Sequence, residues 1–374
     1  MADAPSHPLL SYQPIRSLFQ LGYASTVIIR LPLWISTALV PSLRPHPAWS
    51  AKQALLNNVA YAVTDVKSRI GITDKLSLEP GKEGPRFQVV QPAAATLYRG
   101  PLKSEAVKPE PVGATWFPRA PAEDVDMASK MVMLYIHGGA FVDGNGREEY
   151  AGYGARNMVV RSGMDFVMSV QYRLSGWSGL CPFPAAMQDA LTAYLFLVRE
   201  AGVAPSNIVL CGDSAGGNLA IAVLRYIHDF GTELGIPAPR CATLFSPWIA
   251  PLDFGTIDAS PRRSTDFLPT SFLRWGALAY SAGHQDAARN AYITPAGSPF
   301  ATPVPMFVSV GAEEILRDSI ILWAEQMKSV HGNAVDVYLE EAALHDTFLL
   351  GALLGFEESA DKVAEQVGAF VRGC

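Results

Sequence analysis

The sequence predicts an α/β fold: a mostly parallel central sheet of about eight strands, helices on both faces, and a helical cap. Three observations predict it. Short, almost wholly apolar runs recur from residue 131 onward, and stretches of helical periodicity separate most of them. Apolar types make up 49% of the 374 residues and charged types only 17%, against roughly 25% charged in an average domain. A glycine-flanked serine, Ser214, sits where one apolar run hands over to a helix.

The elements follow in chain order. Residues 1–80 read as an N-terminal helical cap. Apolar residues recur at spacings of three and four through Leu18, Leu21, Ala54, Leu55 and Val59, and Pro41, Pro45 and Pro47 break the pattern. Residues 21–40 approach the length a bilayer needs, but Arg30 and Pro32 sit in their middle. A cap helix packed on the fold, able to touch a membrane surface, is therefore preferred to a transmembrane span. The start Met1-Ala2-Asp3-Ala4-Pro5 lacks the positive charge of a signal peptide, and no Asn-x-Ser/Thr sequon occurs. The final Arg372-Gly373-Cys374 does not fit a prenylation box. The expected location is intracellular and cytoplasmic, with peripheral membrane contact through 21–40 as the alternative.

Residues 81–374 read as the catalytic domain. Two strands are expected at 87–90 and 114–117, joined by a Pro/Lys-rich loop. Six apolar strands follow at 131–136, 166–172, 208–211, 243–245, 306–310 and 335–339. Helices are expected near 147–161, 184–201, 215–230, 317–330 and 356–371. Strands buried on both faces are apolar almost throughout, which implies parallel pairing under two helical layers. Residues 250–300, rich in Pro, Trp and Phe, interrupt the alternation as a lid-like insertion where ligands of open α/β sheets bind.

Composition excludes several functions. A chain this apolar is not disordered. With 29 basic and 35 acidic residues the net charge is −6 and no basic block exists, which disfavours a nucleic-acid partner. Four cysteines are too few for a disulfide scaffold. No cofactor or metal is expected: the sequence has no H-E-x-x-H and no G-x-x-x-x-G-K-[ST].

The chemistry concentrates in three places. Gly212-Asp213-Ser214-Ala215-Gly216-Gly217 contains G-x-S-x-G. A serine hydroxyl is a weak nucleophile, so it must project from a sharp strand-to-helix turn toward a base; glycines two positions either side clear that turn. Upstream, the strand at 131–136 ends in His137-Gly138-Gly139-Ala140. Acyl transfer needs backbone N–H groups aimed at the oxygen that becomes negative, and the candidates are Gly138, Gly139 and Ala215. His137 is expected to be structural. Downstream, a serine elbow predicts an acid and then a histidine on loops after later strands. His345 follows the strand at 335–339 and is the expected base. Glu313, Glu314 and Asp318 follow the strand at 306–310, and Asp346 neighbours the histidine. Position alone favours Glu314 and leaves the others open.

Together these motifs resemble the hormone-sensitive-lipase-like esterases of the α/β-hydrolase superfamily. The resemblance runs from about residue 131 to the C-terminus and includes two further matches. One is Tyr172-Arg173-Leu174 with Phe183-Pro184-Ala185-Ala186 and Asp189; the other is Ser246-Pro247-Trp248. It implies the α/β-hydrolase fold and a Ser-acid-His carboxylic ester hydrolase without a cofactor. The family's acid lies in a pattern like Asp-x-Leu-x-Asp. The matching stretch here is Glu314-Ile315-Leu316-Arg317-Asp318, which makes Glu314 the acid and Asp318 its substitute. His-Gly-Gly-Ala stands where His-Gly-Gly-Gly is common. The first 110 residues look like those of filamentous-fungal members, several of which trim acyl groups from secondary metabolites or sterols.

The expected function is hydrolysis of a lipophilic small-molecule ester through an acyl-enzyme on Ser214. Phe141, Trp177, Trp248, Phe272, Trp275 and Phe348 are candidates for the pocket wall. The alternatives are acyl transfer or amide hydrolysis on the same triad, or a non-catalytic small-molecule receptor on the same fold. The oligomeric state and the natural ester are left open.

Overall fold

The computed structural model describes residues 6–374. After a single 3-10 turn, the long helix α1 (Ile15–Leu39) packs on α2 (Ala51–Ile70). Ser50 starts α2 with a capping box, its hydroxyl accepting from Gln53 N–H while the Gln53 side chain returns to the Ser50 N–H. Gly71, at φ 63°, ends it in the left-handed conformation that glycine adopts without strain.

The catalytic core then runs β1 (Phe87–Val90), β2 (Val112–Phe117), β3 (Val132–Ile136), α3 (Glu148–Arg161), β4 (Phe166–Gln171), α4 (Ala185–Arg199), β5 (Ile208–Asp213), α5 (Ser214–Leu234) and β6 (Cys241–Phe245). The insertion folds as α6 (Phe254–Ala259) and α7 (Thr270–Tyr280). The chain closes with β7 (Met306–Gly311), α8 (Arg317–Ser329), β8 (Val335–Glu340), α9 (Thr347–Leu354) and α10 (Glu357–Gly373).

The eight strands form one sheet in the order β1-β2-β4-β3-β5-β6-β7-β8. β2 runs against both its neighbours, and all pairings from β4 to β8 are parallel. The period-2 alternation of β3 divides the core. Val132, Leu134 and Ile136 face the layer of α4, α5 and α8, whereas Met133 and Tyr135 face α3 and α10. This doubly covered sheet is why the apolar runs were continuous rather than alternating.

The differences from the sequence reading are local. The strands at β5, β6 and β2 extend by one or two residues beyond the apolar runs. α9 was not expected, because the run 347–354 is apolar all round and has no helical period to detect.

Candidate active site

The nucleophile candidate is held by backbone sterics. Ser214 opens α5 directly from β5 at φ 48°, a left-handed conformation that costs a non-glycine residue about 1–2 kcal/mol. The turn is tight enough that only glycine fits on both sides. A Cβ at Gly212 would sit 2.3 Å from Gly216 O, and one at Gly216 would sit 1.9 Å from Ile136 O.

Ser214, His345, Gly139 and Asp213 open on one cavity of about 390 Å³. α2 supplies one wall (Leu56, Val59, Val63), α9 another (Leu349, Leu350, Leu353) and the insertion a third (Phe267, Leu268, Phe272). Of the six aromatic candidates, only Phe272 lines it. Phe141 stacks on Tyr280 at 3.8 Å and packs on Trp248, Phe348 stacks on Phe245 at 4.2 Å, and Trp275 is buried. Trp177 packs against the main core. A single ring in a sequence does not reveal which side of the wall it faces.

His345 Nδ1 lies 3.3 Å from Glu314 Oε2, and both residues are buried. The pair is near but not aligned: His345 Nδ1 and Glu314 Oε1 lack hydrogen-bond partners among the described residues. Burial lowers the imidazole pKa, an effect that the carboxylates of Asp266 and Asp213 oppose. The same burial pushes the Glu314 carboxyl well above the usual range, against a pull from the Ser246 hydroxyl, which donates to Oε2. Both shifts oppose charge on the pair. Ser214 and the imidazole line the same cavity with no hydrogen bond between them among the described residues. Asp318 is instead exposed and paired with Arg262 at 3.0 Å, away from His345. Glu313 lies 3.9 Å from His46.

The glycine loop is shaped by a residue the sequence reading did not weigh. Asp213 Oδ1 accepts the Gly138 N–H at 2.9 Å and the Tyr135 hydroxyl at 2.6 Å. The Gly138 N–H, expected to face the substrate oxygen, is therefore already committed. A Cβ at Gly138 would collide with Asp213 Oδ2 at 2.1 Å, so glycine is needed there to admit this carboxylate. Gly139, at φ 93°, has no backbone acceptor for its N–H among the described residues. Ala215 N–H lies in the first turn of α5, where helix N–H groups lack intrahelical partners.

The Asp213 carboxyl meets that of Asp346, and burial raises the pKa of both, Asp346 further because Asp213 is beside it. Two buried carboxyls in contact resist ionising together. Asp346 N–H donates to Ser246 Oγ at 3.1 Å, and Ser246 in turn donates to Glu314. Ser246 thus ties the histidine loop to the acid loop. Its motif was visible, but its role depends on the β6 and β7 loops meeting in space. Asp266 of the insertion accepts Ile315 N–H at 2.7 Å and Leu268 N–H at 3.2 Å, pinning the acid loop from the other side. Burial pushes its carboxyl up to about 7.

Two sequence matches prove to be scaffolding. Arg173 chelates the buried Asp189, with contacts of 2.8–3.1 Å. His137 stacks on Tyr172 at 4.2 Å, contacts Gly138 O at 2.8 Å, and burial pushes it down to about 4. The insertion also presses on the glycine loop. A Cβ at Gly276 of α7 would lie 2.2 Å from Ala140 O.

Comparison with known proteins places this arrangement among relatives. Residues 133–349, more than half the chain, match a family described as having the alpha/beta hydrolase fold. An acetyl-hydrolase of Streptomyces hygroscopicus is 33% identical over 186 residues, 50% of this chain and 58% of that one. An ethyl acetate hydrolase of Pseudomonas putida is 26% identical over 255 residues, 65% of this chain and 73% of that one. The match thus spans little more than half of the first relative's length. The crystal structure of an esterase from the bacterial hormone-sensitive lipase family superposes with a TM-score of 0.62 at 21% identity, covering 87% of this chain and 99% of that one. An esterase of Pyrobaculum calidifontis gives 0.61 at 21% identity, covering 85% and 90%. At such identity these two likenesses show the fold.

Proposed function

Since the chain belongs to the α/β-hydrolase family, we propose that it is a hormone-sensitive-lipase-like serine carboxylic ester hydrolase with Ser214, His345 and Glu314 as its triad. One observation carries the reading: a serine strained into an elbow opens on the same apolar cavity as a buried histidine that contacts a buried carboxyl.

In this mechanism His345 Nε2 takes the proton of Ser214 Oγ as Oγ bonds to the ester carbonyl carbon. The carbonyl π pair moves to oxygen, and Gly139 N–H and Ala215 N–H receive that oxyanion. Glu314, acting as its carboxylate, then faces an imidazolium 3.3 Å away, and the attraction between them offsets the burial that opposes each charge. The tetrahedral intermediate collapses, the C–O bond to the alcohol breaks, and His345 returns the proton to the leaving oxygen. Water, deprotonated by His345, releases the acid from Ser214 by the same steps. Gly138 and Asp213 hold the loop in place rather than contacting the oxyanion.

The substrate class follows from the walls. Leucine, valine and phenylalanine side chains suit a lipophilic ester, and the relatives named for acetyl-ester cleavage favour a short acyl group. The N-terminal segment supports placement with the fungal-type members. The test is hydrolysis of p-nitrophenyl acetate, butyrate and octanoate, with fluorophosphonate labelling of the nucleophile. Ser214→Ala is expected to abolish labelling and to lower kcat/KM by at least about 10⁴. Labelling or turnover at wild-type level in that variant would refute the assignment. A competing alcohol in the assay separates hydrolysis from acyl transfer.

A further inference from the structure

Helix α1 is apolar on two opposite faces. The face carrying Phe19, Tyr23, Val27, Trp34 and Ala38 lies toward α2, and Tyr23 hydroxyl donates to Asp65 at 2.9 Å. At 3.6 residues per turn, Leu18, Leu21, Ile28, Ile29, Ile35 and Leu39 fall within roughly 120° on the other side. These six are exposed, Ile29 to 77%. Of the 23 large apolar side chains exposed in the described residues, 12 lie between Leu9 and Leu43. A helix that is apolar all round normally has a nonpolar phase on every side.

The charge of the segment says which phase. The chain has 35 acidic residues, yet none lies between Ala4 and Thr64, where Arg16, Arg30, Arg44 and Lys52 give a charge of +4 in a protein of −6. Arg30 rests on the rings of Tyr23 and Trp34, and Arg44 donates to the Ala38 and Trp49 carbonyls, so neither charge is neutralised by a carboxylate. An uncovered apolar face on an acid-free, net-positive segment of an otherwise acidic protein is complementary to anionic lipid headgroups.

We propose that the outward face of α1 lies in the interface of an anionic phospholipid membrane, parallel to its plane. α1 has the length and composition to span a bilayer. Lying flat is favoured because spanning would strip α1 from α2 and leave the buried Asp65 without Tyr23. α2 is also a wall of the cavity, so docking sets that wall about one helix diameter, ~10 Å, from the lipid. This inference does not depend on the hydrolase assignment.

Sedimentation of the full chain with vesicles tests it. Binding to phosphatidylcholine:phosphatidylserine (70:30) is expected, severalfold weaker with phosphatidylcholine alone and in 0.5 M salt. The pair Ile28→Glu with Ile29→Glu should reduce the partition coefficient at least tenfold while p-nitrophenyl butyrate hydrolysis in vesicle-free buffer is unchanged. The pair Arg16→Gln with Arg30→Gln should keep binding to phosphatidylcholine and lose the gain from phosphatidylserine. Four results would overturn the proposal. They are no binding to anionic vesicles, unchanged binding of the glutamate variant, protease protection of the N-terminus inside vesicles (a spanning helix), and a wild-type dimer that the glutamate variant converts to a monomer without vesicle binding (a second copy on this face).

Discussion

Replacing Ser246 tests the coupling between the acid and histidine loops. Ser246 is buried, its hydroxyl donates to Glu314 Oε2, and the same oxygen accepts Asp346 N–H at 3.1 Å. Ser246→Ala removes a hydrogen bond to a chargeable group, about 1.5–3 kcal/mol, and orphans a buried N–H, about 1–3 kcal/mol. Only the first loss acts on chemistry, because Ser246 stabilises the charged Glu314 that faces the imidazolium. At 1.36 kcal/mol per decade, kcat should fall about 10- to 100-fold with KM little changed. A second variant isolates that effect from stability. Ser246 has φ 43°, so Ser246→Gly relieves left-handed strain and should be about 1 kcal/mol more stable than Ser246→Ala. Both should show the same kcat. The assays are initial rates on p-nitrophenyl butyrate and urea denaturation of each variant. If kcat in both variants stays within twofold of wild type, Glu314 is not the group that supports His345. If kcat instead tracks stability between them, the hydroxyl acts only through the fold.

Four further outcomes follow from the same geometry. Glu314→Gln should lower kcat about 10²- to 10⁴-fold, whereas Asp318→Asn should stay within twofold; comparable losses in both would leave the acid unassigned. The acid limb of kcat/KM in wild type should lie below pH 6.5, because burial lowers the His345 pKa and the neutral imidazole is the active form; titration above 6.5 would contradict this. Asp266 holds its proton more tightly folded than unfolded, so its contribution is complete below pH 3.8 and is lost as pH rises through about 7, a swing of up to about 4 kcal/mol. The stability advantage of wild type over Asp266→Asn should therefore shrink from pH 4 to pH 7, and a constant difference would refute the buried ionisation. Gly276→Ala should destabilise by about 1–3 kcal/mol and lower kcat more than it raises KM, because the new methyl meets the backbone of the glycine loop; normal kcat would show the loop yields freely.

The sheet was legible because each strand is covered on both faces and so reads as a continuous apolar run. The elbow was legible because its glycines answer a local steric need at adjacent positions. What escaped the sequence depends on groups that meet only after folding. Asp213 ends β5 and Asp346 caps α9, far apart in the chain, and their carboxyls meet. Ser246 and Asp266 brace the acid loop from two different segments. The commitment of Gly138 N–H to Asp213 could not be inferred from a His-Gly-Gly motif that offers two equivalent amides. The wall aromatics were misplaced for a similar reason: Phe141, Trp248 and Phe348 have partners distant in sequence.

The contact between Gly276 and Ala140 also bears on how this molecule breathes. α7 rests directly on the peptide that precedes Phe141, with no side chain between to act as a bearing. Phe141 is itself stacked on Tyr280 at the end of α7. The insertion is thus less a hinged door than a keystone: swinging α7 outward would drag the glycine loop with it and disassemble the site it covers. Val63 of α2 and Leu353 of α9 both line the cavity and are exposed, so the cavity reaches the surface between these two helices.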